Sequence, residues 1–436
     1  MHLVLAQSTA LRLTTFSILY MAQGIPIGLF TIALPAWLAA QGASATDVGS
    51  VVAITGLPWA FKLISGPFMD RFSFPSMGRR RPWIMAAQAC LSLSLLGLLL
   101  VGNPVDDLWT LIVVGVFINS FAALQDVAVD GMAIDILPTT ERGRANALMA
   151  FGQVVGYSGF GALGGLLLTR YGLATTGLVS ALIVSAIFLF STAVRERLGE
   201  RLLPWTQGDV ADADQLVDAS FRAIFGNLLR VLVLPMSLLL IGVELLSRMS
   251  AGIYVSLLPL MAVQDLGYSA EDYGYWFGLT GGVAAVIGIF FGPLIDRFGA
   301  HRLLGVALLG SAGFALAFAF VVVGGAGDGL ILTLLAGSQI FAQGFFVSMI
   351  ALFMGICWTR VAATQFAIYM SLANLSRSLG AGVFALWGAQ FGSAGMLYLM
   401  AGFMVSAAAL LFWFNPDGHR ARLAEIEGQP IRQGPA

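Results

Sequence analysis

The feature that most constrains this chain is the length of its apolar runs. Ile84 to Val101 and Leu397 to Phe414 carry no charged side chain. Each is as long as a helix must be to cross a hydrocarbon layer about 30 Å thick, roughly 20 residues at about 1.5 Å per residue. Runs of this kind recur along the whole sequence. With 58% hydrophobic and 10% charged residues among 436, the chain has more apolar surface than a water-soluble core of its size can enclose. Its solvent is lipid. The alternation expected of a membrane barrel is absent from the sequence, so the expected fold is an all-α integral membrane protein.

Breaking the runs at their polar interruptions predicts twelve transmembrane helices between about residues 12 and 415, six on each side of one long polar stretch. The expected organisation is a six-helix bundle over 1–194, a cytoplasmic linker over 195–228 with a short amphipathic segment (QLVDASFRAIFG), a second six-helix bundle over 229–415, and a cytoplasmic tail over 416–436. The opening MHLVLAQSTA has no basic n-region and runs into the first apolar stretch, which reads as an uncleaved span. Arg71, Arg79, Arg80, Arg81, Arg142, Arg144, Arg195, Arg197, Arg201, Arg297, Arg302, Arg360, Arg420 and Arg422 fall in alternate loops and on the termini that share their side. The opposite loops carry Asp47, Asp106, Asp107, Asp265, Glu271, Asp272 and Asp328, with Arg170 the basic exception. The positive-inside bias then places both termini in the cytoplasm.

A net charge of −1 offers no basic excess for a nucleic-acid partner. Cys90 and Cys357 sit inside apolar runs and read as packing residues. His2, His301 and His419 fall at termini or loops, and no phosphate loop or metal-ligand spacing occurs. Neither an enzyme, a metal site nor a cofactor is expected.

The two halves repeat. GPFMDRF at 66–72 and GPLIDRF at 292–298 each end the second span of a six-span unit. Glycine and proline let helix ends approach closely. Asp70 with Arg71 and Asp296 with Arg297 can tie the ends of neighbouring spans as a conformational gate, or be surface pairs of little weight. Parallel six-span halves suit an alternating-access transporter with its substrate between them. The repeated G-P-x-x-D-R-F resembles the loop signature of the major facilitator superfamily. QGIPIGL at 23–29, LPWAFKLISGPFMDRF, GRRRPWIMAAQ and ALQDVAVDGMAIDILPTTERGRANAL are similar to blocks of the muropeptide permeases, which are related to acetyl-CoA carriers and single-subunit siderophore permeases. That resemblance implies a proton-coupled importer of a sugar-peptide cell-wall fragment, acting as a monomer in the inner membrane of a bacterium. Muropeptide permeases often carry spans beyond twelve, whereas the last span here is followed by a polar tail. A siderophore permease is therefore the alternative, and a non-transporting assembly factor or sensor on the same fold is another.

Six ionisable residues lie inside spans: Lys62, Asp126, Asp130, Glu244, Arg248 and Arg377. An unpaired charge at mid-bilayer costs about 2.5–3.5 kcal/mol or more, so three basic and three acidic groups are expected to pair around an interior cavity. Asp126 and Asp130 are one helical turn apart. Lys62 lies at a matching depth on a span of the same direction, so it is expected to face both carboxylates. Snorkelling of Lys62 to the surface, or a static ion-pair cluster, are the competing readings. A proton-coupled carrier needs carboxylates that hold their protons unequally. Glu244 and Arg248 have the favoured acid-first i, i+4 order for an ion pair. Arg248 and Arg377 are alternatively forks for a substrate carboxylate or phosphate. Gln23, Gln125, Gln153, Tyr157, Tyr254, Gln339, Gln343, Tyr369 and Asn374 complete the expected substrate cavity, each also able to serve as a plain interhelical bond. Tyr273, Tyr275 and Trp276 are expected as interfacial anchors. Pro26, Pro35 and Pro259 are expected to kink the first span of each half.

Overall fold

The computed structural model describes residues 3–72, 74–138, 141–208, 228–325, 327–358 and 362–427. Among these, nine helical segments are long and apolar enough to cross a membrane. Two of the helices are too long for one crossing: Arg142–Ala193 has 52 residues and Ala362–Leu410 has 49, about 75 Å if straight. Each contains one glycine outside the helical region, Gly172 at φ 80° and Gly392 at φ 64°. Only glycine adopts that conformation without strain. There the helix folds back, so each is two spans. The packing agrees: Gly156 touches the backbone of Met21 and Gly24, while past the turn Gly177 lies against Leu95 and Leu98.

The remaining span is Ala270–Gly288 continued by Phe291–Phe298, whose first turn holds Glu271 and Asp272. The twelve spans are thus Thr9–Ala40 (span 1), Ala45–Gly56 continued by Lys62–Arg71 (2), Arg81–Leu100 (3), Leu108–Ile136 (4), the arms of Arg142–Ala193 (5 and 6), Pro235–Asp265 (7), Ala270–Gly288 with its continuation (8), Ala300–Gly324 (9), Asp328–Ile356 (10), and the arms of Ala362–Leu410 (11 and 12). This is the all-α, two-bundle fold predicted from the sequence. The amphipathic segment expected at 215–226 lies outside the described residues.

The two halves are built alike. In each, the first span meets the fifth at backbone distance. A Cβ on Gly24 would sit 2.5 Å from the Gln153 carbonyl oxygen, and one on Gly156 2.2 Å from that of Met21. In the second half a Cβ on Gly252 would sit 2.0 Å from the Arg377 carbonyl oxygen, and one on Gly380 2.0 Å from that of Met249. Lipid supplies no hydrophobic drive between helices, so small residues that admit close dispersion contact hold them together. Both first spans also widen into a short π segment after a proline: Leu29–Ala33 after Pro26, and Met261–Asp265 after Pro259. Proline withholds a backbone donor and the ladder relaxes to i→i+5 bonds.

Two ends of the molecule differ. At the end where the described chain starts, at Leu3, the first half is stitched within itself. Strand β1 (Leu3–Val4) pairs in parallel with β2 (Val194–Arg195). Glu196 accepts from the successive backbone N–H groups of Arg79, Arg80 and Arg81 at 3.1, 2.8 and 2.5 Å. Burial, with Glu200 beside it, pushes the Glu196 carboxyl above the usual carboxylate range despite those amide bonds. Arg12 clasps Glu141 through two nitrogens at 2.9 and 2.7 Å; that clasp and the Thr9 hydroxyl hold the Glu141 carboxyl below its usual range. At the far end the halves meet each other. Gln264 donates to the Ala39 and Ala43 carbonyls at 2.9 and 3.0 Å, and Thr46 donates to Ala385 at 2.9 Å. Arg170 pairs with Glu271 at 2.9 Å, which accounts for the basic exception in the loop pattern.

Of the three aromatic residues expected as interfacial anchors, Tyr275 is exposed, but Tyr273 is buried against the Phe277 ring at 5.6 Å. Its position one turn from Phe277 puts both on the face toward the other half. Substituting a packed glycine should separate spans 7 and 11. We expect Gly252→Ala to lower stability by about 1–3 kcal/mol through overpacking and Gly252→Leu to abolish folding. Gly313→Ala, where nothing lies within 4 Å, should be neutral, all read by thermal unfolding in detergent.

Candidate functional site

Span 2 breaks at a 3-10 turn, Leu57–Trp59, around Pro58 and restarts at Lys62. Trp59 donates its indole N–H to Asn119 of span 4 at 2.9 Å, which sets the register of the two spans. One rung further in, Lys62 Nζ reaches Asp126 Oδ2 at 2.8 Å. Asp126 is buried and Lys62 half-buried, so the lysine does not snorkel. At 2.8 Å in a poorly solvated site both groups are held as a charge-assisted pair.

Asp130 goes elsewhere. The Tyr20 hydroxyl of span 1 donates to its Oδ1, and one turn away Gln125 donates to the Leu19 carbonyl at 2.8 Å. Span 4 therefore lies between two neighbours, giving a cation to one carboxylate and a hydroxyl to the other. As expected, Lys62 faces both carboxylates electrostatically; its hydrogen bond goes to Asp126, while Asp130 is hydrogen-bonded by span 1.

In the second half Arg248 Nε bonds Glu244 Oε1 at 2.8 Å, the expected i, i+4 pair. The Arg248 guanidinium also lies over the rings of Phe345 and Phe346, 5.1 and 5.7 Å from their centroids. Glu244 Oε2 is buried and accepts no hydrogen bond among the described residues. Arg377 of span 11 lies within electrostatic reach of Arg248 and of Tyr157 on span 5 of the opposite half. Tyr157 also sets its ring edgewise to Phe277, centroids 6.3 Å apart, and Tyr254 bonds Ser338 at 2.9 Å. These side chains gather where the halves face one another.

The other predicted cavity residues divide. Asn374 donates to the Trp59 carbonyl across the halves at 3.3 Å. Gln339 donates to Phe277 and Thr280 at 3.2 and 2.5 Å. Gln153 and Gln343 are half-buried. Gln23 and Gln125 have no exposed surface, and neither amide atom of Gln23 finds a partner among the described residues. Tyr369 is a correction: it has no exposed surface, stacks on Phe353 at 4.4 Å and takes a 2.7 Å bond from Gln365, so it fills the core of the second bundle rather than a chamber. Of the predicted gate, the Asp70, Arg71 and Asp296 side chains lie outside the described residues; Arg297 is exposed, over Phe298 at 5.3 Å.

Sequence reasoning missed Tyr20, Asn119, Glu141, Glu196 and Gln264. A polar residue within an apolar run was a usable signal for Tyr20 and Asn119. Glu141 and Glu196 were legible only as carboxylates near an excess of arginines.

The sequence profile of the Major Facilitator Superfamily matches residues 16–324 and 240–434. An anhydromuropeptide permease of Escherichia coli K12 is 27% identical over 378 residues, covering 83% of this chain and 71% of that protein. A putative transporter AmpG 3 of Rickettsia prowazekii is 24% identical over 392 residues, covering 83% of this chain and 85% of that one. Among solved structures, a D-xylose-proton symporter superposes with a TM-score of 0.70 at 14% identity over 92% of this chain and 97% of its own. A bacterial homolog of the human lysosomal transporter Spinster superposes at 0.69 and 15% identity, over 92% and 95%.

Removing one partner of the first-half pair strands a buried charge. We expect Lys62→Met to destabilise the protein by about 3–5 kcal/mol, and Lys62→Met with Asp126→Leu to recover most of that loss in chemical unfolding.

Proposed function

The chain belongs to the Major Facilitator Superfamily, and from that premise we propose that this transporter imports a cell-wall-derived sugar-peptide of the anhydromuropeptide type, coupled to protons, by alternating access. What supports the solute class is the similarity to an anhydromuropeptide permease over most of both chains. The arrangement of Lys62, Asp126, Asp130 and Tyr20 supports the coupling. Asp126 is neutralised by a lysine. Among the described residues the hydrogen bond that Asp130 takes is from a hydroxyl, and it is the carboxylate left to receive a proton.

The cycle we infer uses the asymmetry of the two ends. With both termini cytoplasmic, as the arginine distribution argues, the end closed by Gln264, Thr46 and the Arg170–Glu271 pair is periplasmic. In this reading the solute's path between the halves opens toward the cytoplasm. Loading a proton on Asp130 alters the bond to Tyr20 and with it the tie between spans 4 and 1, the span that packs on span 5 and carries the slack π segment at the periplasmic gate. Solute between the halves adds the second contribution, by binding one arrangement better than the other. The transporter acts as a monomer in the inner membrane, its partners being solute, protons and lipid.

Uptake into proteoliposomes tests this reading. An inward proton gradient should drive accumulation of a radiolabelled anhydromuropeptide. Asp130→Asn should abolish the response to the gradient while solute exchange across the membrane persists, and Asp126→Asn should impair both. Full gradient-driven uptake by both variants would exclude these carboxylates from coupling.

A further inference from the structure

Five of the six ionisable side chains within the spans have a polar partner: Lys62 with Asp126, Asp130 with Tyr20, and Glu244 with Arg248. Arg377 has none among the described residues, by hydrogen bond or ion pair. A guanidinium has five donors and cannot shed its charge. Holding it without a counter-ion in the middle of a helical bundle is unfavourable relative to leaving it in water. Among the described residues the charged group acting on it is Arg248, another cation. Glu244 does not relieve it, because that carboxylate is committed to Arg248. Two guanidiniums and one carboxylate leave the second-half site one positive charge. A singly charged anion completes it.

The surroundings name the chemistry further. Arg377 as a residue keeps part of its surface exposed. Tyr157, from the other half, lies within its electrostatic field and meets the Thr31 hydroxyl; turned from Thr31, its own hydroxyl would donate to the second oxygen of a planar acid. From this geometry we infer that Arg377, with Tyr157 opposite, binds a carboxylate of the transported solute and so makes the solute itself the bridge between the two halves. Residual charge of one favours a carboxylate over a doubly charged phosphate. The fork of Arg377 accepts both oxygens of such a group, which lysine, a point charge, does not reproduce. The inference rests on the transporter reading above and refines it: selection is for the free acid of the solute, and the group selected lies on the second half while the proton lies on the first.

Full-length protein in detergent provides the test. Without any solute, Arg377→Met should melt at the same temperature as wild type or higher, since it removes an unanswered charge. A clear fall would show that the guanidinium already holds a structural contact, and would overturn the assignment. With solute, an anhydromuropeptide bearing free carboxylates should bind wild type at least tenfold more tightly than its fully amidated form. Arg377→Met should erase that difference, and Arg377→Lys should restore only part. Equal binding of acid and amide by wild type, undiminished acid binding by Arg377→Met, or displacement of the acid by inorganic phosphate at equal concentration would each overturn it. If neither compound binds wild type, the sugar-peptide reading has failed, and the melting temperature of solute-free Arg377→Met decides the inference by itself.

Discussion

An ionised side chain within hydrocarbon must be answered by an opposite charge, a strong hydrogen-bond donor, or a wet path. That constraint organises the interior of this protein. Span 4 gives Asp126 to the lysine of span 2 and Asp130 to the tyrosine of span 1. Span 7 answers its own arginine with its own glutamate. Each arrangement fixes the rotation of a helix whose surface is otherwise apolar nearly all round, and which hydrophobic burial alone would leave free to turn.

The same economy separates what is rigid from what can move. Within each half, spans 1 and 5, or 7 and 11, touch at backbone distance through glycines, and such contacts cannot slide without a collision. Between halves the polar links at the far end are few: one glutamine, one threonine and one partly exposed ion pair. Exposed pairs contribute under about 1 kcal/mol. The halves also meet at backbone distance through glycines, Gly278 against Ser158, Gly274 against Gly161 and Gly49 against Ala385, so the seam between them is closely packed as well as lightly hydrogen-bonded.

Much of this was legible in the sequence. Apolar run length gave the spans, the duplicated G-P-x-x-D-R-F gave the halves, and i, i+4 spacing gave the Glu244 and Arg248 pair. The depth argument brought Lys62 to Asp126. It did not show which of the two carboxylates takes the lysine's hydrogen bond, because residues one turn apart still diverge enough to meet two different neighbours. Tyr369 misled for a related reason. A tyrosine in a span reads as a cavity donor, yet Gln365, one turn before it, satisfies its hydroxyl inside the core. The Arg170 exception made sense only once the opposite half supplied Glu271. Helix rotation, and contacts between halves, are set by packing that periodicity does not encode.

The short parallel pairing of Leu3–Val4 with Val194–Arg195 joins the beginning of the first bundle to its end. All six of its helices are therefore closed into a ring by residues that precede Pro235, where the seventh begins. The first bundle can mature in the bilayer as a finished object while the second is still being synthesised. Assembly then reduces to docking two prefabricated modules, and a defect in the second need not unravel the first.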